Sequence, residues 1–177
     1  MAVLFSSCVT EQEKQDVVNE SEEILPFEVT RDATIRYSDS GLVKLKIKAP
    51  TIERYAGEKP YSEFPDGVRV EFYDKSGNIS SFMDAGYAIN LESENKMEAR
   101  YNVEVLNPEG DRLNTEKLIW EKETKQIHTD EPVKITTADE VIFGTGLVAE
   151  QDFSKYQIKN ITGIINIEDD ATEEEGQ

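Results

Sequence analysis

Apolar residues in this chain come in short pulses with a period of two. The run from Leu42 to Ala49 reads L-V-K-L-K-I-K-A. It puts Val43, Leu45, Ile47 and Ala49 on one side and Lys44, Lys46 and Lys48 on the other. Val68, Val70 and Phe72 alternate with Arg69 and Glu71, while Tyr87, Ile89 and Leu91 alternate with Ala88 and Asn90. Ile161, Gly163, Ile165 and Ile167 share a face near the C-terminal end. Successive side chains of a strand point to opposite faces, so this spacing predicts strands with one wet and one dry side. No stretch keeps an apolar stripe at helical spacing for three turns, and the body of the chain is predicted to be all-β.

Between residues 110 and 146 the pulses are Leu113, then Leu118 and Trp120, Ile127, Val133 and Ile135, Val141 and Phe143. Turn-forming residues separate them. D-K-S-G-N at 74–78 and N-P-E-G-D at 107–111 carry the Asp, Asn, Pro and Gly that tight turns demand. The two segments also start a repeat, since Gly110 follows Gly77 by 33 residues. In each copy a glycine leads into a strand, a charged turn and a returning strand. The charged turns are E-S-E-N-K after Leu91 and E-K-E-T-K after Trp120. Returning strands hold Met97 and Ala99 in one copy, Ile127 and Thr129 in the other, and each copy closes on V-E-V (103–105) or V-K-I (133–135). A repeat of this length implies a supersecondary unit that buries its apolar face only by stacking on another.

Charge changes the picture at the ends. The 177 residues carry a formal charge of −18. Residues 9–25 hold six acids and one Lys, and residues 168–177 hold six acids and no base. The remainder has 25 acids against 18 bases, a net −7 that is ordinary for a soluble domain. The expected organisation is a lipoprotein-signal remnant with its lipidation cysteine (1–8), an acidic tether (9–26), one β-domain (27–167) and a disordered acidic tail (168–177). Nucleic acid is not an expected partner, because nothing neutralises phosphates at scale. No run of 18 apolar residues exists to span a bilayer as a helix.

Catalytic signatures are weak. G-T-G at 144–146 lacks the third glycine of a dinucleotide fingerprint and reads as a bulge or bend. His128, the single histidine, alternates with Ile127 and Thr129 and is expected to face solvent. Asp130 and Glu131 precede Pro132 and read as turn residues. No carboxylate pair stands out as a hydrolase would require, and no metal or cofactor is implied. Cys8, the single cysteine, follows V-L-F-S-S, a context like a bacterial lipobox, though the apolar stretch before it is far shorter than a signal peptide's and no basic residue precedes it. The expectation is a diacylated Cys8 anchoring the chain.

G-D-R-L-N-T-E-K-L-I-W, H-T-D-E-P-V-K-I and I-F-G-T-G-L-V-A-E-Q-D-F-S-K-Y-Q-I-K-N-I-T-G together resemble the LptC family, within the OstA-like β-jellyroll group. The resemblance covers about residues 28–167. It implies an antiparallel two-sheet jellyroll, or β-taco, closing around an apolar slot. It also implies a non-catalytic lipid-transfer role: lipopolysaccharide is accepted from an inner-membrane ABC transporter and passed to a periplasmic LptA-like bridge protein. Cys8 is similar to the anchor of the lipoprotein variant found in Bacteroidota-type bacteria, which places the protein in the periplasm at the inner membrane. An envelope lipoprotein whose sandwich binds glycan or protein is the alternative reading.

Alternation assigns the slot lining to Leu45, Ile47, Val70, Phe72, Ile89, Val103, Val105, Ile127, Val133 and Ile135, with Trp120 as core or slot rim. Burying one methylene is worth roughly 0.8 kcal/mol, so a chain of about a dozen needs on the order of 10 kcal/mol of shelter. A carrier of such a ligand must hand it to a matching slot and cannot release it into water. Open sheet edges offer a route for that relay by strand addition. Ile161, Gly163, Ile165 and Ile167 mark the C-terminal edge expected to meet the bridge protein, and residues 29–37 the N-terminal edge expected to meet the transporter.

Overall fold

The computed structural model describes residues 24–167; Cys8, most of the expected tether and the acidic C-terminal segment lie outside them. Eleven strands follow in chain order: β1 (Glu28–Asp39), β2 (Leu42–Tyr55), β3 (Tyr61–Phe64), β4 (Val68–Tyr73), β5 (Ile79–Ala85), β6 (Tyr87–Leu91), β7 (Lys96–Leu106), β8 (Arg112–Glu121), β9 (Gln126–Thr136), β10 (Glu140–Glu150) and β11 (Tyr156–Asn166). A single 3-10 turn at Glu92–Glu94 interrupts them, and the described residues contain no α-helix. Every pairing is antiparallel and all strands belong to one sheet. The two sheets that the resemblance implied are therefore two walls of one continuous sheet.

The sheet is a meander with a crease. β2 pairs with β4 through Leu45–Lys48 and with β3 through Glu53–Tyr55. β7 pairs with β6 through Lys96–Arg100 and with β5 through Glu104–Leu106. Thus β3 and β4 are one long strand broken at residues 65–67, and β5 and β6 are one long strand broken at Gly86. The same break recurs along the sheet. Asp32 of β1 has φ 51°, Tyr101 and Asn102 of β7 have φ 67° and 52°, and Gly146 of β10 has φ 78°. Register slips between Arg100 and Val103, between Thr115 and Ile119, between Thr145 and Leu147, and between Phe143 and Gly144. Each extra residue bends its strand and tightens the local twist. Gly67 shows why the crease is specified: φ is +88°, and a Cβ there would stand 2.7 Å from the Ala85 carbonyl oxygen.

Contacts across the interior show that the sheet rolls over. β1 and β8 are five strand spacings apart in the sheet order, about 24 Å if flat. Yet the Tyr37 and Trp120 rings meet edge to face at 5.2 Å. Phe72 of β4 likewise meets Phe153, beyond β10, at 5.4 Å between ring centroids. Lys125, in the β8–β9 turn, pairs with Asp39 at the end of β1. Rolling brings the dry faces of β2, β4, β5, β7, β8, β9 and β10 into one apolar core.

The turns follow the repeat. Asp74 N–H donates to Asn78 O at 2.9 Å and Gly77 N–H to Asp74 O at 3.2 Å. In the second copy Asn107 N–H donates to Asp111 O at 3.1 Å and Gly110 N–H to Asn107 O at 3.2 Å. Both glycines take positive φ, 85° and 96°. G-T-G at 144–146 is a bulge in β10, as its composition implied. One strand face departs from expectation. Ala88 is fully buried, whereas Tyr87 and Ile89 are half-buried on the other side of β6. The extra residue at Gly86 shifts the alternation by one, and a one-residue slip moves a whole strand's side chains to the opposite face.

Candidate functional site

The inward side chains converge on two apolar voids. Leu45, Ile47, Val70, Phe72, Trp120 and Ile127 line the first, together with Met83, Met97, Ala99 and Leu118. Val105 and Ile135 line the second with Leu113, Leu147 and Tyr156. Val103 and Val133 are buried beside the crease and line neither void. Ile89 lies on the opposite face, cross-strand from Glu98, and does not join the lining. The voids measure about 30 and about 40 Å³. Each is the liquid share of roughly one water molecule, so the walls are in contact.

Several lining residues were not singled out by alternation. Leu113 and Leu118 belong to the sequence pulses, and Met97 and Ala99 to a returning strand. Met83 was hidden because Phe82, its neighbour, is the larger apolar residue. Phe82 takes the outer face, 5.4 Å beneath the Arg69 guanidinium, and pairing of Met83 with Val70 and Val105 turns the thioether inward.

Charge is kept on the outer face. Glu71 accepts from Lys48 Nζ at 2.6 Å, Lys46 Nζ at 3.0 Å and the Tyr73 hydroxyl at 2.9 Å. These donors hold its carboxyl at about 2, although its own burial pushes the other way. His128 faces away from the core and sits 3.4 Å from Glu121. Lys122 Nζ donates to the Asn90 side-chain oxygen Oδ1 at 2.5 Å and lies 5.9 Å from the centre of the Trp120 ring, and burial pushes its pKa down. Two polar atoms remain alone on the inner face: Trp120 Nε1 and Ser81 Oγ are sealed from solvent without a hydrogen-bond partner among the described residues. Among those residues no group of three or more His, Cys, Asp or Glu is placed to hold a metal.

The two ends of the sheet are open. β1 pairs only with β2, and β11 only with β10. Ile167 N–H donates to Asp139 O at 2.8 Å, so alternate residues of β11, Ile165 among them, turn their main chain toward β10. Ile164 and Asn166 therefore present theirs outward. Ile161, Ile164, Ile165 and Ile167 are all exposed, as are Ile24, Leu25, Phe27 and Val29 at the opposite end.

The site is thus a rolled antiparallel sheet with an apolar interior and two free edges. The family model for lipopolysaccharide assembly, LptC-related, matches residues 2–165. The chain belongs to the LptC family. Membership gives it a role in lipopolysaccharide transport, as a non-catalytic component working with the Lpt machinery in the periplasm at the inner membrane. No curated protein matches the chain at a significant level. No helix among the described residues is long and apolar enough to cross a membrane.

Proposed function

We propose that this LptC-family chain accepts lipopolysaccharide acyl chains from the inner-membrane transporter at its β1 edge and passes them, between the rolled walls, to an LptA-like bridge at its β11 edge. The observation that carries this reading is the apolar core of a sheet whose two end strands, β1 and β11, each keep one free edge. Because the voids hold only about 30–40 Å³, the walls must separate to admit a chain. Burial of a dozen methylenes, on the order of 10 kcal/mol, offsets the lost wall-to-wall contact. Asp39–Lys125 is a surface clasp between the walls, and exposed pairs of this kind hold weakly. Cys8, lying outside the described residues, is proposed as the diacylated anchor, since two chains suffice for stable membrane attachment where one does not.

Photocrosslinkers test the path. Placed at Phe72 and Ile135 they are expected to capture lipopolysaccharide in cells, and at Lys46 and Glu71 they are not. Equal capture at both sets rejects an interior path. For the bridge edge, Ile164→Pro deletes an outward main-chain donor without breaking a bond to β10. Loss of bridge-protein pulldown with an unchanged melting curve is expected; a folded variant that still captures the bridge at the parental level excludes β11. Palmitate labelling that is abolished by Cys8→Ser identifies the anchor, and unlabelled, freely soluble parent protein rejects it.

A further inference from the structure

The crease divides the sheet into two walls that face each other. Leu45, Val70 and Phe72 line the first void from one wall, and Met97, Leu118 and Trp120 line it from the other. Aromatic and ionic contacts between the walls lie in or beside hairpin turns, away from the crease. Tyr37 meets Trp120, Asp39 meets Lys125, and Phe72 meets Phe153. The crease is therefore the fold line of the slot, and these contacts form a seam along its opposite rim.

Phe153 is the odd member of the seam. Tyr37, Phe72 and Trp120 are held in strands, whereas Phe153 belongs to the turn between β10 and β11. It is half-buried and its φ is 54°. That left-handed conformation is unfavourable for a bulky L side chain and open to glycine. The hydrogen bonds of the turn do not need the ring. Phe153 N–H donates to Glu150 O at 2.9 Å, Glu150 N–H to Lys155 O at 2.9 Å, and Ser154 N–H to Asp152 Oδ1 at 3.1 Å. What the phenylalanine adds is its ring, packed on the core and set edge to face on Phe72 at 5.4 Å. A residue kept in an unfavourable conformation by a contact is a two-state element, because replacing the contact releases it. An acyl chain lying along Phe72 would replace this one. The turn is also tied into the rest of the seam: Gln151 N–H donates to Lys125 O at 3.1 Å, and the Lys125 side chain holds Asp39.

We propose that Phe153 is a displaceable plug. In the empty domain its ring takes the place of an acyl chain against Phe72 and keeps the seam shut, and an entering chain expels it. This rests on the slot reading above and adds to it the residue that regulates entry. A closed plug lowers the apparent affinity by the fraction of domains in which it is open. Removing the ring should therefore tighten binding even though it weakens the fold. A residue that only packs the core would do the second without the first.

The test titrates a saturated fatty acid of about a dozen carbons, below its micelle concentration, into the full chain. Emission of Trp120, the single tryptophan, follows binding from the void that Phe72 also lines. Phe153→Ala is expected to bind roughly tenfold more tightly than the parent while melting at a lower temperature. Unchanged or weaker binding, whatever the melting temperature, overturns the plug. Hydrogen exchange on the unaltered parent supplies a readout that needs no variant. On saturation with the fatty acid, the amides of Gln151 and Phe153 should exchange roughly tenfold faster, because their turn leaves the seam. Amides of β9 paired with β8 should not. Slower or unchanged exchange at Gln151 and Phe153 with the ligand bound overturns the plug and leaves the slot standing. Binding by Phe153→Ala alone supports the plug. If the fatty acid binds neither protein and moves tryptophan emission in neither, the plug and the slot reading fall together.

Discussion

Ile127 and Ile164 are the same residue type in neighbouring regions of one sheet, and their surroundings are opposite. Ile127 in β9 is 2 % exposed; Ile164 in β11 is 54 % exposed. Both stand in antiparallel strands with regular pairing. The difference is that the sheet has rolled over β9 and has not rolled over β11. Isoleucine is used as core in the first place and left as available surface in the second. Apolar residues on both faces of a terminal strand are a hazard in a free protein, and they make sense where another chain covers that strand.

The largest effect expected from this contrast is at the rolled centre. Ile127→Ala should cost about 3–4 kcal/mol, the transfer term plus a cavity the packed walls cannot close. Chemical denaturation measures it, and a loss below about 1 kcal/mol would mean that the core is looser than the burial indicates. Next comes the crease that permits the rolling. Gly67→Ala forces an L side chain into positive φ with its Cβ 2.7 Å from the Ala85 carbonyl, and about 2–3 kcal/mol of stability should go. A glycine-to-alanine change at Gly77, also at positive φ but with open space around it, should cost only the smaller conformational part, about 1–2 kcal/mol.

The outer clamp is a smaller term with a distinctive pH signature. Glu71 is held at about 2, below the ordinary 4.5, by Lys48 and then Lys46. A depressed carboxylate contributes stability that is complete above about pH 4.5 and is lost as pH falls toward about 2. The contribution should be on the order of 1–2 kcal/mol, since Lys48 is about half exposed and screened. Glu71→Gln should lower stability by that amount at neutral pH and flatten the acid limb of the stability curve; an acid limb unchanged from the parent would show that the clamp contributes nothing. The smallest effect belongs to the open edge. Ile164→Ser should change stability by under about 0.5 kcal/mol, and a loss comparable to that of Ile127→Ala would show that β11 is part of the core after all.

Much of this was legible before any coordinates. The lysine alternation in β2 fixed which side of Leu45 and Ile47 is dry, and the structure keeps both in the core. Asp74–Gly77 and Asn107–Gly110 announced two turns of one kind. His128 was correctly turned away from Ile127 and Thr129. Ile89 failed for a specific reason: alternation within 87–91 took the larger apolar set, Tyr87, Ile89 and Leu91, as the dry side, whereas the small Ala88 is the one turned inward. Met83 was missed because a contiguous Phe82–Met83 pair gives alternation no way to choose, and only pairing with Val70 and Val105 decides it.

By itself the sequence determined that this chain forms antiparallel strands, where they turn, and which side of most of them is dry, because period-two patterning and turn chemistry are local. It also carried the family. Tertiary structure alone decided that the strands form one creased sheet, that Tyr37 meets Trp120 across five strand spacings, and that β1 and β11 each keep one free edge. Those outcomes depend on how many small bends add up over the width of the sheet, and on what each wall then finds opposite it. No window of residues contains that sum.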